Sequence, residues 1–181
     1  MDFFYSIDVS IFYFINGTLA NPVFDKLMPF ITEVKNWYLV YVLLWFIILF
    51  KGGKYRFAMA ISMILLITIT DQVSSSLLKN LFERVRPCNA LPDVHLLAGC
   101  TGSYSFPSSH AVNNFAAATF FSFYYKHLKW LLFSVAVIIA LSRIFVGVHY
   151  PSDVLGGAVI GTILGYLCVK LTERILRIIY E

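Results

Sequence analysis

Five long apolar runs, at residues 37–50, 57–78, 110–125, 130–148 and 154–171, constrain this chain more than any other feature. A helix needs about 20 mainly apolar residues to cross the hydrocarbon core of a bilayer. The runs are continuous, unlike the one-sided stripe of a surface helix. Hydrophobic residues make up 59% and charged residues 13%, against about 25% charged in a typical soluble domain. Mean hydropathy is +0.77. At 181 residues, with no linker, repeat or low-complexity tract, a single domain over 1–181 is expected. The fold class that follows is all-α: an integral membrane helical bundle of about five transmembrane helices plus an N-terminal interfacial helix.

The interfacial helix is expected over residues 1–16, where Asp2, Asp8 and Asn16 interrupt a run already short for a span. A crossing there, giving six spans, is the alternative. Asn21-Pro22 and Pro29 suggest a bent segment after it. The chain opens without a basic n-region or a small-residue cleavage site, so a cleaved signal peptide is not expected. Basic turns at 51–56 and 126–129, and the Arg174/Arg177 tail, follow alternate crossings. The positive-inside bias makes all three cytoplasmic. The long polar connection, 79–104, and the 148–153 turn then face the periplasm or cell exterior of an integral plasma (inner) membrane protein. Lys79 and three arginines sit on that side against the bias, and need another reason to be there. The net charge of +4 forms no long basic stripe, which argues against nucleic acid.

Gly157, Gly161 and Gly165 recur every fourth residue in the last run, a pattern for close helix packing. Cys88 and Cys100 share the outer loop and form either a disulfide or two free thiols. With only His95 and Asp93 nearby, they make a weak case for zinc, and no metal or cofactor is expected.

Three clusters of chemically able residues fall on the outer side. Lys79 and Arg86, seven apart, are expected on one face of a helix that Pro87 ends. The second cluster is Pro107-Ser108-Ser109-His110. A helix starting there turns free backbone N–H groups and its positive dipole end toward an anion. The third runs from Ser142-Arg143 to His149 and Asp153. A carboxylate on one imidazole nitrogen fixes the tautomer and leaves the other lone pair free to attack. A guanidinium beside it grips phosphate as a fork. Taken singly, each cluster also fits an ordinary role: a basic helix end at headgroups, an N-capped helix, a surface histidine beside a capping aspartate.

Their order and spacing together are far more specific. Lys-x6-Arg-Pro, then Pro-Ser-x-His, then Ser-Arg-x5-His-x3-Asp resembles the three-part signature of the type 2 phosphatidic acid phosphatase superfamily, which holds membrane lipid phosphatases and vanadium haloperoxidases. The motifs cover residues 79–153, and the hydropathy pattern extends the likeness to nearly the whole chain. Ser109 stands where the family usually has glycine, and the first span of six-span relatives is weak or missing here. The resemblance implies His149 as the nucleophile that forms a phosphohistidine, with Asp153 supporting it. It implies His110 as the group that protonates the leaving oxygen and then activates water. Lys79, Arg86, Arg143, Ser108 and Ser109 would hold the phosphoryl oxygens, with Ser142 as a further helper. Phosphoryl transfer needs positive charge and N–H donors on the equatorial oxygens, and three fixed cations take the part a metal plays elsewhere.

The expected partner is a phosphorylated membrane lipid in the bilayer: undecaprenyl diphosphate, lipid A 1-phosphate or phosphatidylglycerol phosphate. A soluble haloperoxidase does not fit the hydropathy. Transfer of the phosphoryl group to another lipid would use the same motifs. A non-catalytic lipid-binding or transport protein would need the cations but not the histidines. The sequence leaves the oligomeric state open.

Overall fold

A computed structural model describes residues 3–51 and 53–180, and among them there are helices and loops but no strand. The chain runs α1 (Phe3–Tyr13), α2 (Pro22–Thr32), α3 (Tyr38–Lys51), α4 (Arg56–Gln72), α5 (Lys79–Phe82), α6 (Pro87–Ala90), α7 (Ser109–Tyr124), α8 (Lys129–Phe145) and α9 (Pro151–Tyr180). The helix starts are written into the sequence. Asn21 caps α2, its Oδ1 accepting from the N–H groups of Val23 and Phe24 at 3.0 and 3.1 Å. Proline opens α2, α6 and α9 at the position where a missing N–H costs nothing.

α7 is the axis of the bundle, flanked by α4, α8 and α9. Between helices immersed in hydrocarbon, packing and hydrogen bonds replace the hydrophobic drive available in water. The glycine stripe of α9 supplies that packing. A Cβ at Gly161 would collide with the Val112 carbonyl of α7, and one at Gly165 would lie 2.5 Å from the Ala116 oxygen.

Among the described residues, three helical stretches are long and apolar enough to cross a membrane: Arg56–Ala90, Lys126–Phe145 and Pro151–Ile178. A fourth results if Phe3–Thr18 and Pro22–Thr32, bent by 114°, count as one broken span. The expected runs 37–50 and 110–125 form α3 of 14 residues and α7 of 16, each shorter than the about 20 residues of a typical span. α7 carries polar residues because neighbouring helices surround it.

The N-terminal segment, expected at the interface, is more than a loosely attached surface helix: one face packs against the bundle, while Phe3, Phe4, Ile7 and Ile11 stay exposed. Phe12 is wholly buried against Ile144, Tyr150 and Val154. Asn16 ties three segments together: its Nδ2 donates to the carbonyls of His95 and Phe145, both at 2.8 Å, and its Oδ1 accepts from the His95 N–H at 2.9 Å. Asp2 lies outside the described residues. A second difference concerns Lys79 and Arg86. Glu83 takes a left-handed conformation (φ 46°) that ends α5, and the chain leaves the helix before Arg86. The two cations therefore do not share a helix face.

Candidate active site

His149 lies in the turn between α8 and α9, which Gly147 closes with a positive φ of 84°. The ring is 2% exposed. Its Nδ1 is 3.5 Å from Asp153 Oδ2 and 3.5 Å from Ser105 Oγ. Its Nε2 faces Arg86 Nη1 at 3.3 Å. Burial pushes the pKa of His149 down to about 3, outweighing the Asp153 carboxylate that pulls it up. The ring is thus neutral at physiological pH. A proton on Nδ1, toward the aspartate, leaves the Nε2 lone pair on the open side.

Asp153 is held from several directions. Its Oδ1 accepts from Arg84 at 2.6 Å, and its Oδ2 accepts from the Tyr150 N–H at 2.8 Å and from the Ser105 hydroxyl. The Tyr150 bond is the reach-back of a capping box, so one side chain caps α9 and orients the imidazole. Ser152 sits inside the helix, where its N–H donates to Asp8 Oδ1 at 2.9 Å.

Arg86 is clamped by the outer loop: Nε donates to the Ser103 carbonyl at 2.7 Å, Nη2 to its hydroxyl at 2.9 Å, and Nη1 to the Val148 carbonyl at 3.1 Å. The same loop takes Lys79, whose Nζ donates to the Tyr104 carbonyl at 2.9 Å. A Cys88–Cys100 disulfide ties this loop just past Arg86 and just before Ser103.

His110 stands in the first turn of α7, within the electrostatic reach of Arg143, Lys79 and Arg86. His149 lies in the field of Arg86 and Arg143 as well. The two imidazoles, 39 positions apart in the sequence, therefore share the same cations. Thr32, the last residue of α2, joins the cluster. Its carbonyl is 3.1 Å from His110 Nε2, and its hydroxyl accepts from Arg143 at 2.5 Å.

Two polar atoms here are buried without a partner: Arg143 Nε and Ser108 Oγ. Beside them lie the first-turn N–H groups of α7, at Ser109 and His110, which have no acceptor within the helix. A tetrahedral oxyanion supplies what these atoms lack. Ser142 is fully buried, and its hydroxyl donates to the Ile139 carbonyl of its own helix at 2.7 Å.

The sequence reading missed Arg84, Asp8, Ser105 and Thr32. Arg84 joins Asp153 to Asp8 (both 2.6 Å) and lies 4.0 Å from the Tyr150 ring centre. A lone aspartate in the apolar N-terminal run was the available signal, since a carboxylate in such surroundings requires a partner. Among the described residues no three His, Cys, Asp or Glu side chains group as a metal site. His95 pairs with Asp25 at 3.0 Å.

The chain is similar to known proteins. The model of the PAP2 superfamily matches residues 52–177. A lipid A 4'-phosphatase of Bacteroides thetaiotaomicron is 31% identical over 97% of this chain and 83% of its own length. One of Porphyromonas gingivalis is 30% identical over 94% and 75%. The crystal structure of Aquifex aeolicus LpxE superposes with a TM-score of 0.74 at 30% identity, covering 91% of this chain and 95% of that one.

Proposed function

The chain belongs to the PAP2 superfamily and is a membrane lipid phosphatase acting on phosphorylated envelope lipids; from that premise we propose that it hydrolyses a lipid phosphomonoester through a phosphohistidine on His149. The observation that carries this reading is the neutral, aspartate-backed imidazole with Nε2 turned to Arg86, beside buried donors that lack an acceptor.

In the first step His149 Nε2 attacks phosphorus and the P–O bond to the lipid breaks. His110 gives a proton to the departing oxygen. In the second step water attacks phosphorus, His110 takes its proton, and the P–N bond breaks to release phosphate. Arg86, Arg143 and Lys79, with the first-turn N–H groups of α7 and the Ser108 hydroxyl, receive the charge on the equatorial oxygens. Preorganised donors of this kind are each worth about a hundredfold or more in rate. Asp153 keeps the His149 proton on Nδ1 and balances the positive charge the ring acquires.

The whole chain acts as one domain. In this reading α3, α4, α7, α8 and α9 cross the bilayer, and the α1–α2 pair packs beside them. The disulfide favours an oxidising compartment for the site end, and the basic turns at the other end favour the cytoplasm. Both support chemistry at the extracytoplasmic face. Among the candidate lipids, likeness to lipid A phosphatases along most of the chain favours a lipid A-type phosphate. The test is phosphate release by detergent-purified protein from lipid A, undecaprenyl diphosphate and phosphatidylglycerol phosphate. Lipid A is expected to turn over fastest. Release undiminished in a His149→Ala variant would overturn the mechanism, and preference for the diphosphate would overturn the substrate.

A further inference from the structure

Asp71 and Asn113 form a polar pair to which the phosphatase chemistry gives no task. Asp71 lies exposed near the end of α4, and Asn113 lies on α7 one turn past His110. Asn113 Nδ2 meets Asp71 Oδ1 at 3.5 Å, the outer limit of a hydrogen bond. An ionisable group at membrane depth is costly and marks a substrate path more often than a structural one.

The surroundings show what the pair lacks. The hydroxyl hydrogens beside it are spent on the helix itself. Ser74 and Ser75 donate to the Asp71 carbonyl at 3.2 and 2.5 Å, and Thr68 donates to the Ile64 carbonyl at 2.9 Å. Asn113 Oδ1 is buried and has no partner. A carboxylate only accepts. What Asp71 and Asn113 hold out is therefore acceptor capacity.

The pair is also set close to the reacting centre. Asn113 follows His110 by three residues, so both point along one face of α7. Asp71 precedes Lys79 by eight residues and lies within its electrostatic reach. At 1.5 Å rise per residue, the pair sits roughly 5–12 Å deeper in the bilayer than the phosphate cradle. That is where the linkage between a lipid's phosphorylated head and its chains would lie.

We infer that Asp71 and Asn113 are specificity residues that select lipids carrying N–H or O–H donors just below the phosphate. Amide-linked or hydroxylated anchors satisfy both acceptors. A glycerol diester or an isoprenoid chain brings no donor and leaves both unpaired. Sites built to hydrogen-bond a substrate reject the analogue that lacks the matching group. This rests on the phosphatase reading and adds the anchor chemistry to it.

The experiment compares two phosphomonoesters of matched chain length in the same detergent: ceramide 1-phosphate, with an amide N–H and a hydroxyl, and phosphatidic acid, with esters only. The native protein is expected to favour the ceramide lipid about tenfold or more in kcat/KM, the value of one hydrogen bond to a charged group. Asp71→Ala and Asn113→Ala should each bring the ratio toward one. A general folding defect lowers both rates together and leaves the ratio standing. Equal rates in the native protein, or an unchanged ratio in both variants, would overturn the inference. The thermal shift that each lipid gives to His149→Ala protein reads the same preference without turnover. Selective binding with no phosphate release from the native protein would defeat the phosphatase reading and leave this inference intact.

Discussion

Arg84 Nη2 and Asp8 Oδ2 lie 2.6 Å apart, and this contact helps fasten the first helix of the chain to Asp153, the carboxylate beside His149. Through its other amino group the same guanidinium holds Asp153, also at 2.6 Å. One cation thus bridges two carboxylates from opposite ends of the sequence. Arg84→Ala leaves Asp153 with an uncompensated charge, and breaking such a pair costs about 3–5 kcal/mol when it is buried. Arg84 is about a quarter exposed, 24%, so the lower part of that range applies. We expect a fall in kcat of about a hundredfold for Arg84→Ala and about tenfold for Asp8→Asn, with KM changing little. Steady-state kinetics on the same lipid check both.

His149 adds a pH dependence whose sign follows from its lowered pKa. Its unfolded value is about 6.5, and its folded value is about 3. Between these the unfolded chain binds a proton that the folded one does not, so stability falls as pH drops below about 6.5 and levels off near 3. Thermal unfolding in detergent should show a midpoint that decreases through this window. In His149→Gln protein the decrease should be shallower.

Gly161 faces the Val112 carbonyl of α7, with no room for a methyl group. Gly161→Ala should lower the unfolding midpoint by several degrees, and Gly161→Leu should prevent accumulation of folded protein. Gly102, with open space around it, is the control: Gly102→Ala should leave the midpoint within a degree or so. Melting curves on membrane extracts are sufficient to read this.

The Cys88–Cys100 bond secures the loop whose Ser103 and Tyr104 hold Arg86 and Lys79. Reduction, or Cys100→Ser, should raise KM several-fold for a phosphorylated lipid and weaken vanadate inhibition in parallel, since both draw on the same cations. Chelator should leave turnover intact, because Lys79, Arg86 and Arg143 carry the charge.

Much of the site was legible because its parts obey short-range rules. His149 and Asp153 are four apart across a helix start, and Pro107-Ser108-Ser109-His110 announces a helix N-terminus. What escaped depends on long-range or conformational facts. Glu83 gives no sequence warning that it turns left-handed, so the Lys79–Arg86 spacing suggested a shared helix face that does not exist. Thr32 reaches His110 from 78 positions away, and no local pattern marks it. Asp8 did carry a signal, a charge in an apolar run, but its partner was hidden in another segment. Two of the five expected runs, α3 and α7, are shorter than a typical span, and α7 can be short and polar because α4, α8 and α9 flank it.

The glycine seam between α7 and α9 has a mechanical corollary. His110 stands on the first turn of one of these helices, and His149 lies two residues before the start of the other. With the two backbones in contact along their length, the pair moves as one strut. A thinner or thicker bilayer can tilt that strut, yet close contact of the two backbones at Gly157, Gly161 and Gly165 resists a change in their spacing. In the proposed mechanism this would insulate the alignment of His110 and His149 from the elastic state of the surrounding lipid.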